Sequence, residues 1–152
     1  LARRGLAPPR ERSVPSERPG GTEMVGLLVS AAHKSSGKTT VALGLCAALA
    51  GQGLRVQPFK KGPDYIDPMW LARAAGRPCF TLDMLLMDDG ALARCFADNA
   101  HGADLAIVEG NKGLYDGVAL DGSNSNAALA KALRRIAAGS MALISAIRTA
   151  IG

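Results

Sequence analysis

The segment Ala32–Thr39, AHKSSGKT, constrains this chain more than any other stretch of its sequence. It follows an apolar run, Val25–Ala31 (VGLLVSA), that reads as a buried strand. It leads into Lys38–Ala50 (KTTVALGLCAALA), which reads as a helix stopped by Gly51 and Gly53. Gly37, Lys38 and Thr39 supply the diagnostic end of the phosphate-loop pattern G-x-x-x-x-G-K-S/T, with Ala32 in place of the first glycine. Backbone N–H groups must converge on phosphate oxygens there, and a helix N-terminus adds partial positive charge. Gly37 permits close backbone approach, Lys38 neutralises β- and γ-phosphates, and the Thr39 hydroxyl can ligate Mg²⁺. Ser35, Ser36 and Thr40 flank these groups as further phosphate-facing candidates.

Beyond this loop the chain alternates strand-like and helix-like segments, the pattern of a parallel sheet with covering helices. Leu54–Phe59 is the second expected strand, Pro68–Ala75 a short helix, and Asp88–Asn99 a helix opened by an acidic pair. Ala106–Glu109 is the third strand and Asn124–Ala137 a helix capped by Asn or Ser from the cluster Ser123–Asn126. His33 and His101 read as loop and cap residues, and Trp70 as a packing residue.

Two further segments carry chemistry. Phe59–Pro68 (FKKGPDYIDP) reads as a charged loop at the carboxyl end of the second strand, the edge where open α/β sheets gather ligands. Its Lys60 and Lys61 offer phosphate-neutralising charge, and Asp64 and Asp67 offer cation-holding carboxylates. Which lysine serves is open at this stage. In Asp104–Gly117 (DLAIVEGNKGLYDG) an apolar strand ends in Glu109, where a carboxylate that holds Mg²⁺ or water sits in phosphoryl-transfer enzymes. Gly110, Gly113 and Gly117 let the next loop fold closely, and Asp116 projects a further carboxylate. Alone, the first of these segments reads better as a solvated charged loop, and the second reads equally well as a strand-end Glu capping a turn; their order behind the phosphate loop gives them weight.

Taken together, SGKTT, FKKGPDYIDP and EGNKGLYDG resemble the N-terminal synthetase region of cobyrinic acid a,c-diamide synthases, from about Val25 to Leu133. The resemblance implies an α/β, P-loop NTPase-like (dethiobiotin-synthetase-like) fold, a parallel sheet with flanking helices, present here incompletely. It implies ATP and Mg²⁺, and stepwise amidation of two carboxylates of a corrinoid through an acyl phosphate. By this resemblance Lys38, Thr39 and Thr40 hold phosphates and metal. Asp64, Asp67, Glu109 and Asp116 serve metal binding and carboxylate activation, with the metal on Thr39, Asp64 and Glu109, and Lys60 or Lys61 binds phosphate or the substrate carboxylate. Nitrogen is expected from glutamine or ammonia through a glutaminase domain, and the resemblance leaves room for a homodimer. Rival readings are amidation of another tetrapyrrole such as Ni-sirohydrochlorin, a partitioning-type ATPase switch, and a dethiobiotin-synthetase-like enzyme without glutaminase. The switch is disfavoured because its signature lysine position holds His33.

Composition bounds the rest. The net charge of +5 sits in the ends: +2 over residues 1–23, +4 over 131–152, and −1 over 24–130. No basic stripe with interleaved aromatics appears, so nucleic acid is not an expected partner. Cys46, Cys79 and Cys95 form no CxxC pair and have no histidine at ligand spacing, so neither a disulfide framework nor a zinc site is expected. No apolar run reaches the ~18 residues of a membrane span, and a cytoplasmic protein is the default expectation. Residues 1–23, rich in Pro, Gly and Arg, read as a disordered leader, with Met24 as the expected natural start. Residues 24–133 form the nucleotide-binding region. The stretch 134–152 reads as an atypical tail that lacks the relatives' next strand, which suggests a gene fragment or a frameshift near residue 133 and a raw sheet edge.

Overall fold

The structure is a computed structural model that describes residues 25–136 and the backbone of 141–146. The leader read over 1–23 and Ala137 lie outside the described residues. Among the described residues five strands, β1 (Val25–Ala31), β2 (Val56–Lys61), β3 (Phe80–Leu82), β4 (Leu105–Glu109) and β5 (Met141–Ala146), alternate with four helices. The helices are α1 (Lys38–Gly51), α2 (Ile66–Ala75), α3 (Asp89–Ala100) and α4 (Asn126–Ile136). The strands are all parallel, in the order β3-β2-β4-β1-β5. Their carboxyl ends therefore meet on one edge, and the loops after β1, β2, β3 and β4 share it.

The two-residue period of a strand sorts side chains between the two faces. Val29, Val56 and Ile107 pack with Ala42, Cys46, Leu71 and Ala75 of α1 and α2. Leu28, Phe59 and Val108 pack with Leu92, Phe96, Leu129 and Leu133 of α3 and α4. Phe59 anchors that second core, its ring centroid 4.9 Å from Phe96. Full burial of such a side chain stabilises by about 1.5–3 kcal/mol. Counting onward by twos places Lys60 and Glu109 on the α1/α2 face, and Lys61 and Ser30 on the α3/α4 face.

Several expectations are corrected. Residues 134–152 are not without a strand: Met141–Ala146 pairs parallel with β1 from Gly26↔Met141 to Ala31↔Ala146. The apolar run MALISA covers the edge of β1 that would otherwise be raw. Lys60 and Lys61 are not loop residues but the buried end of β2, 3% and 5% exposed. Helix α2 begins at Ile66 rather than Pro68, taking in Ile66 and Asp67 that read as loop. Pro68 stands in its first turn as expected, tolerated because early helical N–H groups lack intrahelical acceptors. Helix α4 begins at Asn126 rather than Asn124, with Ser125 Oγ accepting the Ala128 N–H. The short strand β3, absent from the sequence reading, pairs with β2 over Phe59↔Phe80 to Lys61↔Leu82. Trp70 is 54% exposed and does not pack in the core. The acidic pair stands at the start of α3 as expected, but the helix begins at Asp89, and Asp88 caps it, its Oδ1 accepting the Ala91 N–H at 2.6 Å.

Candidate active site

The loop between β1 and α1 turns through two left-handed residues, Ser35 (φ 60°) and Gly37 (φ 80°). Glycine adopts such a φ without the Cβ penalty, which is why the diagnostic residue falls at the helix entry. Ser36 Oγ donates to the His33 carbonyl at 2.8 Å and lies 3.0 Å from His33 Nδ1, so this histidine braces the loop. Lys38 is buried and folds back over the same loop, its Nζ donating to the His33 carbonyl at 3.1 Å. Burial lowers its pKa, reinforced by Lys60, against the opposing pull of Glu109 and Asp116. Thr40 is exposed on the first turn of α1.

Beside the loop lies a compact ionic cluster drawn from three elements. Lys60 Nζ is 2.7 Å from Asp67 Oδ2, 3.1 Å from Glu109 Oε1 and 3.6 Å from Asp64 Oδ2. The Thr39 hydroxyl lies 2.5 Å from Glu109 Oε1 and 3.3 Å from Asp67 Oδ2, and its single proton goes to the nearer oxygen. Asp64 Oδ1 accepts the N–H groups of Ile66 and Asp67, holding α2's entry in place and delivering Asp67 to the lysine.

Burial alone would lower the pKa of Lys60, but Asp67 and Glu109 outweigh it and hold the ammonium above its usual range. Burial likewise pushes Asp67 upward, and the Lys60 hydrogen bond and charge, with help from Asp64 and Thr39, reverse this and hold it low. For Glu109 burial wins over Thr39 and Lys60, and its carboxyl stands above the usual range. Its second oxygen, Oε2, is buried and has no hydrogen-bond partner among the described residues. An orphaned carboxylate oxygen next to a hydroxyl, at the mouth of a phosphate-type loop, suits a hard cation that takes oxygen ligands. Among the described residues no group of three or more His, Cys, Asp or Glu forms a metal cage. Mg²⁺ does not require one, since it is commonly held by one or two protein oxygens, substrate phosphates and water.

The remaining predicted residues stand apart from this cluster. Lys61 faces the other side of the sheet, where Nζ donates to the Asn124 carbonyl at 2.6 Å and Asn111 Oδ1 at 3.1 Å. Asp116 is exposed, and its Oδ2 accepts the Gly113 N–H at 2.8 Å, closing a turn in the loop after β4. That loop is pinned to β1 by the Leu114 N–H on the Ala31 carbonyl at 2.7 Å.

Sequence reasoning missed the residue that organises the loop. Asn126, fully buried, points its Nδ2 at Ser30 Oγ and the carbonyls of Asn111 and Gly113, and its Oδ1 accepts the Asn111 N–H. It had read as part of a capping cluster. The available signal was its position, just beyond Ser125, the true cap, and so inside the helix facing the sheet.

No helix among the described residues is long and apolar enough to cross a membrane. The fold resembles that of the signal recognition particle receptor FtsY from Elizabethkingia anophelis, solved with GDP, with a TM-score of 0.50 and 16% identity over 86% of this chain and 42% of that one. Closer in sequence is a cobyrinate a,c-diamide synthase of Magnetococcus marinus, 60% identical over 107 residues, covering 70% of this chain and 23% of that protein. A hydrogenobyrinate a,c-diamide synthase of Rhodobacter capsulatus is 52% identical over 109 residues, covering 72% and 25%. The chain thus spans about a quarter of the length of these relatives. The profile described as "CobQ/CobB/MinD/ParA nucleotide binding domain" matches residues 28–148. With its parallel sheet, its phosphate-type loop and this match over most of its length, the chain belongs to the CobQ/CobB/MinD/ParA nucleotide-binding domain family.

Proposed function

We propose that this chain is the ATP-binding part of a cytoplasmic carbon–nitrogen ligase that amidates the a and c carboxylates of a cobyrinate-like corrinoid. Two relatives from different organisms carry that activity in their names. The observation that carries the reading is the convergence of Lys60, Asp67, Glu109 and Thr39 beside the phosphate-type loop.

A carboxylate is a poor electrophile, and its activation brings several anions together. One oxygen of the substrate carboxylate attacks the γ-phosphorus of ATP, the bond to the β-bridging oxygen breaks, and ADP leaves. Ammonia, from glutamine hydrolysed elsewhere or from solution, then adds to the acyl carbon. Inorganic phosphate departs and the amide remains. Lys38 and the loop N–H groups from Ser35 to Thr39 orient the phosphates. Lys60, its charge secured by two carboxylates, neutralises charge where the substrate carboxylate meets the γ-phosphoryl group. Asp64 and Asp67 position Lys60, and Thr39, Glu109 and Asp64 are the groups that would hold Mg²⁺. When bound, that ion supplies further positive charge at the β- and γ-phosphate oxygens. Asp116 shapes the loop after β4 through its bond to the Gly113 N–H.

The test is ADP release measured with ammonia as nitrogen donor, with and without cobyrinate. The reading predicts ADP formation that depends on the corrinoid and matches the amide formed. ADP release at the same rate without corrinoid would point instead to an ATPase of the switch type.

A further inference from the structure

On the opposite face of the sheet edge from the Lys60 cluster lies a cavity of about 230 Å³, formed by the ends of β2 and β3 and the loop after β4. Its floor holds Lys61, Asp83 and Asn111, and its mouth holds Lys112, Leu85 and Val118. Lys61 and Asp83 are 5% exposed, whereas Leu85 and Val118 are 58% and 70% exposed. Gly62 makes the floor possible, because a Cβ there would lie 2.8 Å from Asn111 Nδ2.

The floor has hydrogen-bonding capacity left over. A lysine ammonium has three donors, and Lys61 commits two, to the Asn124 carbonyl and Asn111 Oδ1. Among the described residues it ion-pairs with no carboxylate, and burial lowers its pKa, against the pull of the Asp83 charge. Asp83 Oδ1 accepts the Leu85 N–H at 2.9 Å, and Oδ2 has no protein partner among the described residues. One donor of Lys61 and one acceptor of Asp83 therefore remain, within a lining of two lysines (Lys61, Lys112) and two aspartates (Asp83, Asp116). A neutral group with a carbonyl and an N–H matches that pair. A phosphate or a second carboxylate would face Asp83 at close quarters.

The apolar mouth restricts the ligand further. Leu85 and Val118 flank the opening, so the polar group is the arm of a larger, partly apolar body rather than a free ion. The volume is roughly that of seven or eight waters, enough for a short arm and a few ordered solvent molecules.

We propose that this cavity is a carboxamide subsite, which holds an arm of the substrate that is already amidated while a second carboxylate occupies the Lys60 centre. The inference rests on the ligase reading above. Lys60 and Lys61 are consecutive, with Cα atoms ~3.8 Å apart, so neighbouring arms of one substrate straddle the end of β2. With a single activating centre, two amidations require the substrate to present two carboxylates in turn. A subsite that accepts an amide and disfavours an acid gives the second presentation its orientation.

The test compares kcat/KM for the cobyrinate diacid and for its monoamide, assayed separately with ammonia. Asp83→Asn keeps an acceptor for the Leu85 N–H and turns the free acceptor into a donor. It should lower the monoamide-to-diacid ratio of kcat/KM by ~tenfold or more. Asp83→Ser, which loses the charge without adding a competing amide, should lower the ratio in the same direction. Should both variants reduce the two substrates equally, or leave the ratio unchanged, Asp83 is structural and the subsite is refuted while the ligase reading stands. If the wild type amidates neither substrate, the ligase reading fails and the subsite falls with it.

Discussion

Lys60 and Lys61 are consecutive in β2, yet the first joins Asp67 and Glu109 beside α1 and α2 while the second bonds Asn111 and the Asn124 carbonyl on the α3/α4 side. Strand parity separates them and decides what each can do. The Lys60 ammonium is surrounded by carboxylates at the mouth of the phosphate-type loop. Lys61 holds the loop after β4 against the sheet.

Lys60→Met tests that division directly. It removes the charge that Asp67 and Glu109 enclose, so turnover should fall about 10²–10³-fold while nucleotide affinity, carried by Lys38 and loop N–H groups, changes much less. The Asp67 carboxyl should also titrate at higher pH, since Lys60 is what holds it low. Nucleotide titration together with NMR of the aspartate side chains checks both parts. An unchanged Asp67 titration would contradict the cluster.

Glu109→Gln has a pH signature. The folded-state pKa of Glu109 is raised above the usual 4.5, chiefly by burial. The folded state therefore binds more protons than the unfolded chain between those two values, and stability falls as pH rises through that window. The Gln variant should lack this segment of slope. Urea midpoints measured from about pH 4 upward read the difference.

Asn126→Ala should destabilise the protein by roughly 2–4 kcal/mol, because it strands the part-buried Asn111 N–H and the carbonyls of Asn111 and Gly113. Hydrogen exchange in the loop after β4 should accelerate while α1 stays protected. Equal acceleration throughout would mean that Asn126 supports the whole fold rather than the loop.

Gly113→Ala places a Cβ 2.5 Å from the Ala32 carbonyl, a backbone atom that cannot swing aside. A loss of about 1–3 kcal/mol follows from such overpacking. Because Ala32 opens the phosphate-type loop, nucleotide affinity should fall with it. Calorimetric titration of both variant and wild type tests the coupling.

Much of this arrangement was legible in the sequence. The phosphate-type loop, β1, β4 and the run of parallel strand and helix units follow from local pattern, and Lys38, Thr39 and Glu109 fall where that pattern puts them. The lysine pair was not legible, because two adjacent charges read as solvated until partners on both faces of the strand are known. Strand β3 has three residues, too few for periodicity to register. β5 is hard to read because the sequence around it departs from the relatives' pattern, although the open edge of β1 supplies its pairing. Asn126 escaped because an asparagine near a helix start suggests a cap, and only the long-range contact with Ser30 reveals its role.

The central claim is that the Lys60 centre activates a carboxylate by phosphoryl transfer. Its most direct test is turnover of cobyrinate labelled with oxygen-18 in its carboxylates, with ATP and ammonia, followed by mass spectrometry of the products. The account predicts one labelled oxygen in inorganic phosphate for each amide formed. Label in AMP, or amide formed with no label in phosphate, would contradict it.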